Sequence, residues 1–104
     1  MKRIVFMCLV GSVSFNALSE EAVGERVYNQ ACSTCHNQGV FGAPKLGEVL
    51  DWTDRIAKGK SILNYNAIEG YAGSNGFMPP RGGDPSLTDM EVKMAVQYMI
   101  DKSW

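Results

Sequence analysis

Histidine is nearly missing from this chain. Of its 104 residues only His36 carries an imidazole. Cysteine is almost as scarce, with three. Cys8 lies in an N-terminal apolar stretch, while Cys32 and Cys35 directly precede His36 in "ACSTCHNQG". A closed structural zinc site takes four ligands, and past His36 the chain offers no further Cys or His, so an Asp or Glu would have to complete it. Long apolar runs are missing too. The longest, "IVFMCLVGSVSF", is twelve residues, well short of the ~20 needed to span a bilayer as a helix. No segment shows sustained strand alternation, and no repeat, low-complexity tract or interdomain linker is visible.

What the N-terminus does contain is the pattern of a secretory leader. Lys2 and Arg3 precede the apolar run, and "ALS" places small Ala17 and Ser19 at positions −3 and −1 of a cleavage site before Glu20. The chain thus divides into a cleaved signal peptide, residues 1–19, and one domain, residues 20–104. Cys8 leaves with the leader, and no stable membrane insertion is expected after cleavage. Losing Lys2 and Arg3 leaves eight basic residues against eleven acidic ones, a net charge of −3. Nucleic acid needs clustered Lys and Arg and is an improbable partner, as is anionic lipid. The 85 remaining residues have limited apolar surface to bury, and small exported domains compensate with disulfides or a bound group. A Cys32–Cys35 bridge would close too small a loop to restrict the unfolded chain much.

The remainder reads as helical. Ala22, Val23, Val27 and Ala31 recur on one face from Glu20 to about Ala31. Gly24 and Tyr28 sit four apart on a neighbouring stripe. Glycine inside a helix costs ~1 kcal/mol against alanine, so Gly24 points to a close approach by another element. Shorter helices fit Trp52 to Lys58, with Asp51 as cap and Gly59 as stop, and Ser61 to Glu69, stopped by Gly70. "TDME" at Thr88 to Glu91 is a capping box. It opens a final helix with Val92, Ala95, Val96 and Met99 on its apolar stripe. Two Gly- and Pro-rich loops remain, 37–47 and 70–86. The second is long for so small a domain, and such a loop without its own secondary structure usually has a role of its own or is disordered.

Cys-x-x-Cys-His is the spacing of c-type haem attachment. Two thiols three residues apart can reach the two vinyl groups on one porphyrin edge, and the next residue turns its imidazole to the iron. A thioredoxin-like redox pair is the competing reading, but it belongs with a βαβ pattern that is not seen here. With one histidine, bis-histidine ligation within one chain is impossible. The sixth position falls to Met, to Lys or the new N-terminal amine, or to water. Met90, Met94 and Met99 lie on the last helix, where methionine serves as core filler. Met78 stands apart, in "GFMPPRGG". The Pro79-Pro80 pair fixes φ and keeps Met78 extended, which can hold a thioether over a ring without a helix behind it. The 42 positions from His36 to Met78 suffice to wrap a flat group and return on its other face.

"CSTCH", "GAPKLG", Trp52 followed by "RIAKG", and "MPPRGG" before "EVKMAVQYM" together resemble class I cytochrome c, and within it the cytochrome c5 type. The resemblance covers essentially all of residues 20–104. It implies an all-α fold, a small globule of about four helices around one covalently bound haem c. It also implies that the first and last helices cross at Gly24, with Tyr28 and Tyr98 in contact. It further implies that the Pro44 carbonyl accepts a hydrogen bond from the imidazole, and that Trp52 and Arg55 pack near the haem propionates. The haem-binding residues are then Cys32, Cys35, His36, Met78, Pro44, Trp52 and Arg55, with His36 and Met78 on the iron. Apart from that resemblance, Trp52 reads equally as core and Arg55 as a solvated helix charge. Lys45, Lys58 and Lys60 read as a docking rim or as plain surface charge. Members of the type often carry a disulfide just after "GG"; "GGDPSLTD" has none, so the 82–88 loop is less tethered and a somewhat lower stability is expected.

His/Met ligation raises the potential of haem iron and leaves no open position for a substrate. The expected function is therefore not enzymatic. It is that of a bacterial periplasmic single-haem electron carrier, monomeric, passing one electron from a respiratory donor to an oxidase, reductase or peroxidase through transient contacts.

Overall fold

The computed structural model describes residues 19–104. The expected leader lies outside the described residues except for Ser19, whose Oγ accepts a hydrogen bond from Ala22 N at 3.1 Å and caps the first helix. Among the described residues no helix is long and apolar enough to cross a membrane.

The chain runs α1 (Glu20–Val27), a π-helical turn (Tyr28–Cys32), α2 (Ser33–His36), α3 (Val49–Ala57), α4 (Lys60–Glu69), β1 (Tyr71–Gly73), β2 (Gly76–Met78) and α5 (Asp89–Lys102). The first three follow without a break, so the described residues form four helical rods, as expected. The N-terminal helix is longer than its apolar spacing suggests. It runs on through the cysteines to His36, because the π turn inserts a wider coil that shifts the inward stripe where a strict 3.6-residue period would have ended it.

α1 and α5 cross at Gly24. A Cβ there would collide with the backbone carbonyl of Met94 and lie 3.0 Å from Tyr98 Cβ. Val27, Tyr28, Val92, Ala95, Val96 and Met99 are buried in the same core. The Tyr28 and Tyr98 rings stand 5.4 Å apart, tilted by 46°, within the favourable range for aromatic pairs. Desolvation, then the neighbouring Cys32 and Tyr98, push the Tyr28 hydroxyl up to about 12. It stays protonated and donates to Asn37 Oδ1.

Two boundaries differ from expectation. α3 starts at Val49 and is not capped by Asp51, whose carboxylate reaches back to accept from Lys45 N at 3.1 Å. Gly59 (φ 99°) both ends α3 and opens α4. The 70–86 segment is not an unstructured loop. β1 and β2 form an antiparallel hairpin pairing Tyr71 with Met78 and Gly73 with Gly76, and Pro80–Gly83 makes a tight turn. Three-residue strands are too short to show an alternation.

The Thr88 capping box forms as expected. Thr88 Oγ1 accepts from Glu91 N at 3.1 Å, and Thr88 N donates to Glu91 Oε1 at 3.0 Å. Replacing Thr88 by Ala should cost about 1 kcal/mol, or ~4–8 °C in the melting temperature of a domain this size. The Thr88 backbone N–H, and then its hydroxyl, hold the Glu91 carboxyl below the usual range. A depressed native pKa gives stability that is complete above the unfolded value and lost as pH falls through the native one. The gap between the wild-type and Thr88→Ala melting curves should accordingly narrow in acid. A gap independent of pH would show that the Thr88 hydroxyl plays no part in holding the carboxylate.

Candidate functional site

The end of the long N-terminal helix delivers the scarce residues. The π turn closes with Ser33 N donating to Tyr28 O, and Ser33 Oγ donates to Asn29 O at 3.2 Å. Cys32 and His36 are buried, and Cys35 is half-buried. The two cysteines are free thiols. Burial, reinforced by the nearby Cys35, pushes Cys32 up to about 11. Reactive redox cysteines show the opposite, a lowered pKa in an electropositive setting. Among the described residues the only sheet is a two-stranded hairpin and not a βαβ unit, so the thioredoxin-like reading has no support there. Among the described residues no group of three or more His, Cys, Asp or Glu side chains comes together as a metal site, so the zinc reading lacks its remaining ligands.

Gly39, left-handed at φ 77°, turns the chain out of the helix. The loop then folds back, with Leu46 N donating to His36 O at 2.9 Å. His36 Nδ1 stands 2.8 Å from the Pro44 carbonyl oxygen. A carbonyl only accepts, so Nδ1 carries the proton and Nε2 keeps its lone pair. Desolvation lowers the His36 pKa, the Pro44 carbonyl opposes that, and the Arg55 charge lowers it further. The net result is a neutral imidazole, the form that ligates a metal.

α3 places Trp52 and Arg55 three apart on one face. The Trp52 ring is buried, 6.2 Å from the His36 ring. Its indole N–H donates to Lys45 O at 2.7 Å, so it offers the site a ring and not a free donor. Arg55 Nη1 donates to Asp51 O at 2.5 Å, one of its five N–H groups.

These residues converge. Cys32, Cys35, His36, Pro44, Trp52, Arg55 and Met78 all line one cavity of about 390 Å³, within the ~300–1,000 Å³ of cofactor sites. Leu63, Ala67, Val96 and Met99 give it apolar walls. The donor set suits haem: two thiols, one imidazole with an unprotonated nitrogen and one thioether, around a space with apolar walls and a polar lining that includes Arg55, Lys58 and Asp54. Three features were not legible beforehand. Met99, assigned to the core, is buried and also reaches the cavity wall. Met90, assigned likewise, is 58% exposed because it sits in the first turn of α5, beyond the α1 contact. Tyr71 and Phe77, from the two strands of the unexpected hairpin, line the cavity beside Met78. The two-residue loop is Ser74-Asn75, with Gly76 already paired in β2, so the Asn-Gly dipeptide is not in the turn position that would signal a hairpin.

Residues 19–99 match the family model described as cytochrome c oxidase, cbb3-type, subunit III. Cytochrome c-555 of Chlorobaculum tepidum is 44% identical over 107 residues, covering 99% of this chain and 99% of that protein. Cytochrome c5 of Ectopseudomonas mendocina is 37% identical, covering 65% of this chain and 76% of that one. Among solved structures, a chain of an electron-transfer complex of nitrite reductase with cytochrome c superimposes with a TM-score of 0.71 at 36% identity, over 79% of this chain and 95% of that one. With the helical globule and the haem-sized cavity in place, these likenesses show that the chain belongs to the class I c-type cytochromes, small electron carriers with covalently bound haem c.

Proposed function

We propose that the chain is an exported, periplasmic, monomeric carrier with a single haem, bound as thioethers at Cys32 and Cys35 and ligated by His36 and Met78. One observation carries this reading. The chain's only imidazole has its Nδ1 proton committed to Pro44 O and shares one cavity with both thiols and with Met78. Bound haem supplies the redox chemistry, cycling between Fe(III) and Fe(II) by one electron. The polypeptide does the rest. Pro44 sets the tautomer and turn of the imidazole, as outer partners of metal-bound histidine do. Leu63, Ala67, Val96 and Met99 keep the site dry. The free N–H groups of Arg55 favour a carboxylate at the Trp52 side. With His36 and Met78 both holding the iron, no position would be left for a substrate, and the chain would act as a carrier and not as an enzyme.

The partners follow from that role. They are a respiratory donor and an oxidase, reductase or peroxidase, met briefly. The likeness to a cytochrome seen in complex with nitrite reductase supports a reductase among them. Lys45, Lys58 and Lys60 are exposed, and Lys58 lies at the cavity, where charge would steer encounter and make it salt-dependent.

Expression in bacteria able to mature c-type haem tests the proposal. The periplasmic fraction should contain a red protein with the mass of residues 20–104 plus one haem. Its ferric form should show the weak far-red iron–sulfur band, and its ferrous form should bind carbon monoxide poorly. The Cys32→Ser, Cys35→Ser double variant should give up its haem to acidified organic solvent, where the wild type does not. Colourless protein with the mass of the bare chain would end this reading.

A further inference from the structure

The Met78 strap touches the haem-binding segment at two places along the cavity lining, both through glycine. A Cβ on Gly76, two residues before Met78, would collide with the Phe41 carbonyl oxygen, and one on Gly42 would collide with that of Asn75. The contact is reciprocal. Each glycine turns a Cα–H bond at the other segment's carbonyl, the geometry of a paired weak hydrogen bond. On the far side of Met78, a Cβ on Gly82 would come within 2.6 Å of the Ala31 carbonyl. Ala31 directly precedes Cys32, and Phe41 lies five residues past His36. The strap is thus seated at both ends of the segment that carries Cys32, Cys35 and His36.

The Phe41 backbone is a second, independent observation. It is left-handed at φ 55°, a genuine outlier for a bulky residue. Its side chain lines the same cavity. What the conformation achieves is to aim the Phe41 carbonyl at Gly76. Strain of this kind persists where surrounding contacts over-determine it, and it clusters at functional sites.

We propose that Gly42 and Gly76 are positioning residues for the Met78 sulfur. Their backbone contact is a latch that registers the hairpin against the turn following His36, and so sets how firmly the thioether stays on the iron. This rests on Met78 being the sixth ligand. Gly76 is the better probe because its φ is not in the left-handed region, unlike that of Gly42 at 75°.

The experiment is titration of the ferric holoprotein with imidazole, which must displace the Met78 sulfur to bind. Gly76→Ala should retain covalent haem and bind imidazole at least about tenfold more tightly than wild type, equivalent to ~1.4 kcal/mol. In a Met78→Ala background the same substitution should change imidazole affinity little, because no thioether remains to be held. A merely structural role would not vanish with Met78. A glycine inserted between Ser74 and Asn75 moves the contact without adding a side chain and should reproduce the tightening. Equal affinities for wild type and Gly76→Ala, or an effect that persists undiminished without Met78, would overturn the latch. So would failure of both variants to accumulate while Met78→Ala accumulates normally, since the contact would then serve folding. A wild type without the far-red band would remove the ligand assignment, and the latch with it.

Discussion

Met78→Ala should erase the far-red band of the ferric protein and lower its reduction potential by something on the order of 0.1–0.3 V, within the ~0.8 V that axial ligands command. The direction follows from the thioether, which favours Fe(II). The size decides the biological outcome. At ~59 mV per power of ten for one electron, a fall of about 0.2 V shifts the equilibrium with a fixed donor by more than three powers of ten. Such a protein would carry haem and would no longer accept electrons from the same donor. Carbon monoxide should now bind the ferrous form rapidly, because the sixth position is open or holds only water. Met99 makes this variant informative, since it is a second thioether at the same cavity, buried where Met78 is half-buried. It sits on α5, packed between helices, where reaching the iron would mean unpacking the α1–α5 core; Met78 sits on a strap. If the band survives in Met78→Ala and disappears in Met99→Ala, the ligand has been placed on the wrong element.

The parts of the site that depend on spacing were legible in the sequence, and the parts that depend on approach across the fold were not. Cys32, Cys35 and His36 are adjacent, and Thr88 with Glu91 is a local cap, so their geometry is carried by a few consecutive dihedrals. The assignment of Gly24 to a helix crossing worked because glycine inside a helix is unfavourable unless something needs the space. Asp51 was misassigned as a cap. Its carboxylate prefers the amide of Lys45, six residues earlier, at 3.1 Å, a loop-to-helix contact that no local rule contains. The Trp52 N–H donates to Lys45 O, so that same loop supplies both acceptor and amide. The hairpin under Met78 was missed because two three-residue strands leave no period to detect. The Gly42–Gly76 contact joins residues 34 positions apart and has no sequence signal beyond the glycines themselves.

Gly24 carries the second large effect, and two opposing terms decide it. Alanine gains about 1 kcal/mol over glycine inside a helix. Against that, its methyl would press on the backbone carbonyl of Met94 and on Tyr98 Cβ. The side chain could shift, but the carbonyl belongs to α5 and cannot move without the whole helix. Overpacking costs ~1–3 kcal/mol and occasionally more, and here it meets backbone, so the clash should win. Gly24→Ala should lose on the order of 1–2 kcal/mol net, or roughly 5–15 °C in the melting temperature of a domain of this size. Gly24→Leu adds three further carbons at the same crossing and should leave little or no stable holoprotein, given that whole domains hold only ~5–15 kcal/mol. The damage should also reach the haem. α1 passes without a break through the π turn to Cys32 and His36, so prying α1 from α5 tilts the rod that presents both. Gly24→Ala should therefore show a broadened His36-dependent spectrum as well as a lower melting temperature, read on one sample by visible absorption and circular dichroism. An unchanged melting temperature would mean that the two helices do not cross at Gly24, and that the shared core of Val27, Tyr28, Val96 and Met99 is held together in some other way.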